Sequence, residues 1–286
     1  MTEPPPPLTS SRIGQGSGQE PITPDAGGQA PADRGSSATA ATPSTEPAAV
    51  LADAAENLKE EATSPVVKSA TRRIVAGFVA ILVCLVVLGI LAATIRRQGL
   101  DGLDTAATPF LHGYASPGLD AFMNGATFVG SDPVLAVLFV ATLLVLIRLG
   151  RPWREWLFLA VALGGSVILN GTMKLLFQRP RPTLPYAILL PDYSFPSGHS
   201  MNSFVFYLSI ALLIWVIAGR RAGFIAGVVA LVIATTVGIS RVYLGYHYAT
   251  DVIGGFTAGL LWLLIIAAIF EMGPRVRHRW RPSSSR

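Results

Sequence analysis

At 286 residues, with 51% apolar and 14% charged residues, the chain is too apolar for an average soluble domain. Its charge is divided: residues 1–70 hold nine acids against four basic residues, and the remainder holds eighteen basic residues against eight acids. The arginines gather at short loops and at the C-terminus, not in basic stripes interleaved with aromatics, so no nucleic-acid partner is expected.

Residues 1–65 carry ten of the 21 prolines, much Ser, Thr, Ala, Gly and Gln, and no apolar period, which predicts a disordered tail. A short helical stretch is expected near 48–62. The segment lacks a basic-then-apolar start with a cleavage site, so no removable signal peptide is expected. The proline run at 4–7 suits a binding partner; a solvated tail without a fixed role is the simpler reading.

Beyond the tail, apolar runs of about 18–24 residues recur, the length that crosses a hydrocarbon core of roughly 30 Å. They predict an all-α, polytopic membrane protein with six transmembrane helices, near 74–95, 133–147, 156–177, 201–218, 224–239 and 252–270. The expected division is a tail over 1–70, a membrane domain over 71–273 and a basic tail over 274–286. In the first connection, "AFMNGATFVG" predicts a short amphipathic helix at the interface. Cys84 is the single cysteine and lies mid-run, with no disulfide partner and no zinc-ligand spacing.

Six alternating spans bring both termini to one side. Arg72-Arg73, the turn with Arg148, Arg151 and Arg154, Arg220-Arg221 and the C-terminal arginines fall there too, so the positive-inside rule makes that side cytoplasmic. Arg96-Arg97 fall opposite. The expectation is a multi-pass protein of the plasma membrane whose third and fifth spans end at outward-facing loops.

Ionisable residues within apolar segments are costly and mark functional sites. Three polar clusters sit where the apolar runs break off: "KLLFQRPRP" from Lys174, "PSGHS" from Pro196, and "SRVYLGYHYATD" from Ser240. His247 and Asp251, at i and i+4, share one face at a helix start. A carboxylate on one imidazole nitrogen fixes the tautomer and makes the other nitrogen a better nucleophile or base. On their own, these two residues read equally well as a helix cap. His199 follows a turn where Ser197 and Gly198 offer a hydroxyl and backbone N–H groups near a helix N-terminus, an anion site; an ordinary Pro-Gly turn is the alternative for that stretch alone. Lys174, Arg181 and Arg241 add cations suited to phosphate oxygens. Snorkelling accounts for one lysine, not for three cations meeting two histidines at one face. Arg179 fits a rim contact or a headgroup contact equally. His112 and His278 read as interfacial; Asp192 and Tyr193 fit the cavity entrance or a plain turn, the turn being the simpler reading.

Lys174, six residues, Arg181-Pro182; Pro196-Ser197-Gly198-His199; Ser240-Arg241, five residues, His247, three residues, Asp251: the order and spacing resemble the three-part signature of the type 2 phosphatidic acid phosphatase superfamily. That superfamily also includes bacterial acid phosphatases and vanadium haloperoxidases. The resemblance implies that His247 attacks phosphorus to form a phosphohistidine, that Asp251 orients it, and that His199 serves as acid and then base. It implies Lys174, Arg181, Ser197, Gly198 and Arg241 as phosphate ligands, with no cofactor and no metal. The implied partners are the bilayer and a lipid phosphate, first a polyprenyl pyrophosphate, then phosphatidic acid or phosphatidylglycerol phosphate. A phosphotransferase using the same site is the alternative. A transporter should show internal repeats, and an inactive scaffold should have lost a key residue; neither feature is found.

Overall fold

The computed structural model describes residues 51–56, 59, 64–97, 101–184 and 190–270. Most of the expected N-terminal tail, the C-terminal basic tail and His278 lie outside these residues. The chain divides into two compact units, 1–58 and 59–286. In the first, residues 51–56 are helical. In the second, every regular element among the described residues is a helix.

Helix α1 (Pro65–Arg96) starts ahead of the apolar run, because Ser64 caps it by accepting from the Val67 N–H at 3.3 Å and Pro65 suits the first turn. Two shorter helices follow, α2 (Asp101–His112) and α3 (Pro117–Val129), the second covering the amphipathic stretch expected from sequence. Then come α4 (Asp132–Arg148), α5 (Trp153–Phe177), α6 (Gly198–Ala218), α7 (Arg220–Tyr243) and α8 (Ala249–Ile269).

Five of these helices, α1 and α5 to α8, are long and apolar enough to cross a membrane by themselves. The expected second span, α4, has 17 residues; only together with α3, across a 51° bend, does it pass the same test. It nevertheless runs the length of the bundle. Asp132 at its start lines a polar cavity, while Leu149 beyond its end lines a separate apolar groove that also includes Ala218, the last residue of α6.

Helix α6 is the hub, in contact with α4, α5, α7 and α8. Small and polar residues on it, Ser200, Asn202, Ser203 and Ser209, are buried and let neighbouring backbones approach closely. Phe158, Leu159, Phe206, Leu213 and Ile266 fill the core between α5, α6 and α8. Large apolar side chains such as Phe78, Val137, Ile168 and Leu176 point outward, as lipid-facing residues do in a medium as apolar as they are. Cys84 is buried.

Candidate active site

The three polar clusters meet at one end of the bundle, although 77 positions of sequence separate Lys174 from Asp251. Lys174 ends α5, His199 opens α6, Arg241 ends α7, and His247 lies in the turn before α8. Together with Arg181 and Gly198 they line one cavity of about 400 Å³. The chain leaves α5 through Gln178 in a left-handed conformation, and Pro180 and Pro182 then keep the segment from continuing as helix. That irregular stretch turns Arg181 back over the cavity.

His247 is buried, with Nδ1 3.4 Å from Asp251 Oδ2. Oδ2 also accepts the Tyr248 N–H at 3.0 Å, and Oδ1 accepts from Arg179 Nη1 at 2.6 Å, so the carboxylate is held on every side. Across the ring, Arg181 Nη1 stands 3.2 Å from His247 Nε2. A guanidinium can only donate, so Nε2 presents its lone pair and Nδ1 carries the proton. Both contacts select the same tautomer. Burial pushes the His247 imidazole down to about 4, with Asp251 opposing that shift in part, so the ring is neutral at ordinary pH.

The cations differ in what already occupies them. Arg181 forks onto Asp192, from Nε at 3.0 Å and Nη2 at 2.5 Å to Oδ1, and also donates to the Tyr246 carbonyl at 2.7 Å. Lys174 binds the other Asp192 oxygen. Asp192 therefore takes the first of its two sequence readings, lining the cavity and not a plain turn. Burial by itself would raise its carboxyl, but hydrogen bonds from Lys174 and Arg181 hold it below the usual carboxylate range. Arg241 pairs with no carboxylate among the described residues. Its Nη1 donates to Thr127 Oγ1 at 2.7 Å, its guanidinium stacks 4.1 Å from the Tyr246 ring, and its buried Nε has no partner. It is a buried cation with donors to spare.

Gly198 and His199 reach the cavity at the N-terminus of α6, whereas Ser197 stands behind them, fully buried. The Ser197 hydroxyl accepts from Ser200 Oγ at 2.9 Å and caps the helix, and its N–H donates to the Asp251 carbonyl at 3.0 Å. The Asn170 amide donates to the Pro196 carbonyl at 3.2 Å, fastening this turn to α5. Asn202 and Asp132 also line the cavity: Asn202 donates to Asp132 at 3.3 Å and accepts from the buried Ser166 hydroxyl at 2.8 Å.

Arg179 is neither a rim nor a headgroup contact. It joins Asp251 to Asp104 of α2, at 2.6 Å in each case. Burial would lower its guanidinium, but the two carboxylates outweigh burial and raise it. His112 packs its ring on Tyr243 at 5.3 Å, away from the cavity lining.

Residues 155–274 match the family model described as the PAP2 superfamily, and that span contains all three clusters. Over 196 residues the chain is 33% identical to phosphatidylglycerophosphatase B of Bacillus subtilis (strain 168), covering 66% of this chain and 94% of that one. It is 32% identical over 160 residues to the putative undecaprenyl-diphosphatase YbjG of Escherichia coli (strain K12), covering 54% and 77%. Among solved structures, a transmembrane PAP2 type phosphatidylglycerolphosphate phosphatase from Bacillus subtilis superposes with a TM-score of 0.62 at 32% identity, covering 69% of this chain and 98% of that one. With nearly the full length of such a relative matched, and the three clusters converging on one cavity at the end of a helical bundle, the chain is a multi-pass membrane phosphatase belonging to the PAP2 superfamily.

Proposed function

We propose that this chain hydrolyses a lipid phosphate through a phosphohistidine, without a metal, at the extracytoplasmic face of the plasma membrane. The observation that carries the reading is the His247 environment: Asp251 holds Nδ1, and Nε2 directs its lone pair at Arg181, a donor a phosphate would draw away, in a ring that lines one cavity with Lys174, Arg181 and Arg241. Nε2 attacks phosphorus in line as the bond to the leaving oxygen breaks, and His199 gives that oxygen a proton. His199 then takes a proton from water, which attacks phosphorus and frees His247. The three cations and the Gly198 N–H hold the phosphoryl oxygens, where charge builds up in the transition state. Ser197 supports them by capping α6. Asp192 moves off Lys174 and Arg181 when phosphate arrives, since both compete for the same donors.

Phosphatidylglycerol phosphate moves ahead of a polyprenyl pyrophosphate as substrate. Asp132, Asn170 and Asn202 give the cavity hydroxyl partners that suit a glycerol headgroup, and the likeness to phosphatidylglycerophosphatase B spans nearly all of that relative. The polyprenyl pyrophosphate remains the second reading, supported by the likeness to YbjG.

The test is phosphate release by the detergent-purified chain, with chelator present, from phosphatidylglycerol phosphate, phosphatidic acid and undecaprenyl pyrophosphate. Release should persist in chelator, fall at least about a thousandfold in His247→Ala, and be inhibited by vanadate. An active His247→Ala variant removes the nucleophile assignment. Loss of all activity in chelator removes the metal-free mechanism, and phosphate appearing on an added alcohol instead of in solution makes the protein a phosphotransferase.

A further inference from the structure

Asp104 lies outside the three clusters and Arg179 within the first of them, and both lie outside the lining of the phosphate cavity. Arg179 nevertheless spans two buried carboxylates, donating from Nη1 to Asp251 Oδ1 and from Nη2 to Asp104 Oδ2, each at 2.6 Å. Asp104 also accepts from the Thr250 N–H at 3.0 Å and the Thr250 hydroxyl at 2.6 Å, which docks α2 onto the first turn of α8. Arg179 Nη1 donates to that same hydroxyl at 2.8 Å and stacks 4.2 Å from the Tyr248 ring. The Asp104 and Asp251 side chains are 2% and 0% exposed, so this hold is shielded from water and salt.

The charges decide what the arrangement does. Arg179 alone would neutralise Asp251 and leave nothing for the ring it faces. With Asp104 on the other side of the guanidinium, two carboxylates share one cation, and the group keeps one negative charge on the Nδ1 side of His247, opposite the Arg181 cation at Nε2. When Nε2 forms a bond to phosphorus, the imidazole becomes a cation, and that surplus charge stabilises it. The geometry points to Asp104 and Arg179 as positioning residues for His247, with α2 serving as a brace for the nucleophile. The inference rests on His247 being the nucleophile.

Two readouts on the full-length chain test it. The first is steady-state phosphate release with vanadate inhibition, for wild type, Asp104→Asn, Arg179→Lys and Arg179→Gln. Asp104→Asn should lower kcat about 10–100-fold, the usual scale for a residue that orients a functional histidine. KM and the vanadate inhibition constant should stay within about twofold of wild type, because the phosphate ligands are untouched. Arg179→Lys should keep more kcat than Arg179→Gln, since it keeps the cation between the carboxylates. The second readout is nitrogen NMR of histidine-labelled protein, which has four histidines, the His247 signal being identified by its absence in His247→Asn. Wild type should show the Nδ1–H tautomer, and Asp104→Asn a mixture of tautomers.

Wild-type kcat and unchanged His247 nitrogen shifts in Asp104→Asn overturn the inference. So does a fall in kcat matched by equal losses of substrate and vanadate binding, which marks general collapse of the site. If wild type releases phosphate from no lipid, the proposed function fails by itself. The nitrogen shifts then still decide the brace, and an Asp104→Asn spectrum identical to wild type ends it.

Discussion

At the scale of the residue, the controlling fact is that His247 is neutral because it is buried. Its folded-state value near 4 lies below the ordinary 6.5, with burial as the main cause. Between those values the unfolded chain binds a proton that the folded protein refuses, so stability falls as the pH drops from 6.5 toward 4. The thermal midpoint of the detergent-solubilised wild type should therefore drop across that window, and a His247→Gln variant should drop less. Equal slopes for both proteins would mean that the ring is not held neutral by its surroundings. Asp251 carries a separate burden, since it orients the ring while sitting against Arg179 at 2.6 Å. In Asp251→Asn the ring loses its acceptor and Arg179 keeps only Asp104, so turnover should fall about 10²–10⁴-fold; wild-type kcat would reduce Asp251 to a helix cap.

At the scale of the element, the site depends on how closely α6 and α8 approach at their N-termini. A methyl group on Gly255 would meet the Ser197 carbonyl oxygen at 2.8 Å and the Met201 nitrogen at 3.3 Å, both backbone atoms that cannot swing away. Gly255→Ala should push the turn carrying Gly198 and His199 off α8, with at least about tenfold loss of kcat and about 1–3 kcal/mol loss of stability. Gly227→Ala on α7 meets nothing within 4 Å and should leave both unchanged. Phosphate-release assays and thermal midpoints of the two variants check this; an unaffected Gly255→Ala would show that the turn is placed by other contacts. The helices and the cavity were legible in the sequence because both rest on local signals: unbroken apolar runs, and charge placed where charge is expensive. Asp104 was not legible. Its partner Thr250 lies 146 positions away, and the short helix bearing it is not apolar enough to announce itself. Arg179 and Asp192 were in view but their partners were not, since a residue type cannot report which of several nearby charges it will meet. The 51° bend between α3 and α4 also escaped, because the angle between two helices is set by packing and not by the residues at the break.

At the scale of the whole molecule, the sides of the bundle are apolar and its two ends are chemically unlike. One end holds the cavity, together with Arg96 and α2, whose Asp104 reaches the start of α8. The other holds Arg148, Arg151 and Arg154 between α4 and α5 and Arg220 and Arg221 between α6 and α7, with Arg151 forked onto Glu155. A membrane normal running from the cavity to the arginines fits the apolar sides, and the positive-inside rule is the ground for our proposal that the arginine end is the cytoplasmic one. Single cysteines report which end is which, and the native Cys84, 3% exposed within α1, contributes little background. A cysteine replacing the exposed Thr183, beside the cavity segment, should react with a membrane-impermeant maleimide in intact cells. One replacing the exposed Arg221 should react only after permeabilisation. The reverse pattern would turn the cavity to the cytoplasm. The substrate would then come from the inner leaflet, and Arg96 and Arg97 would become the charges that set the topology.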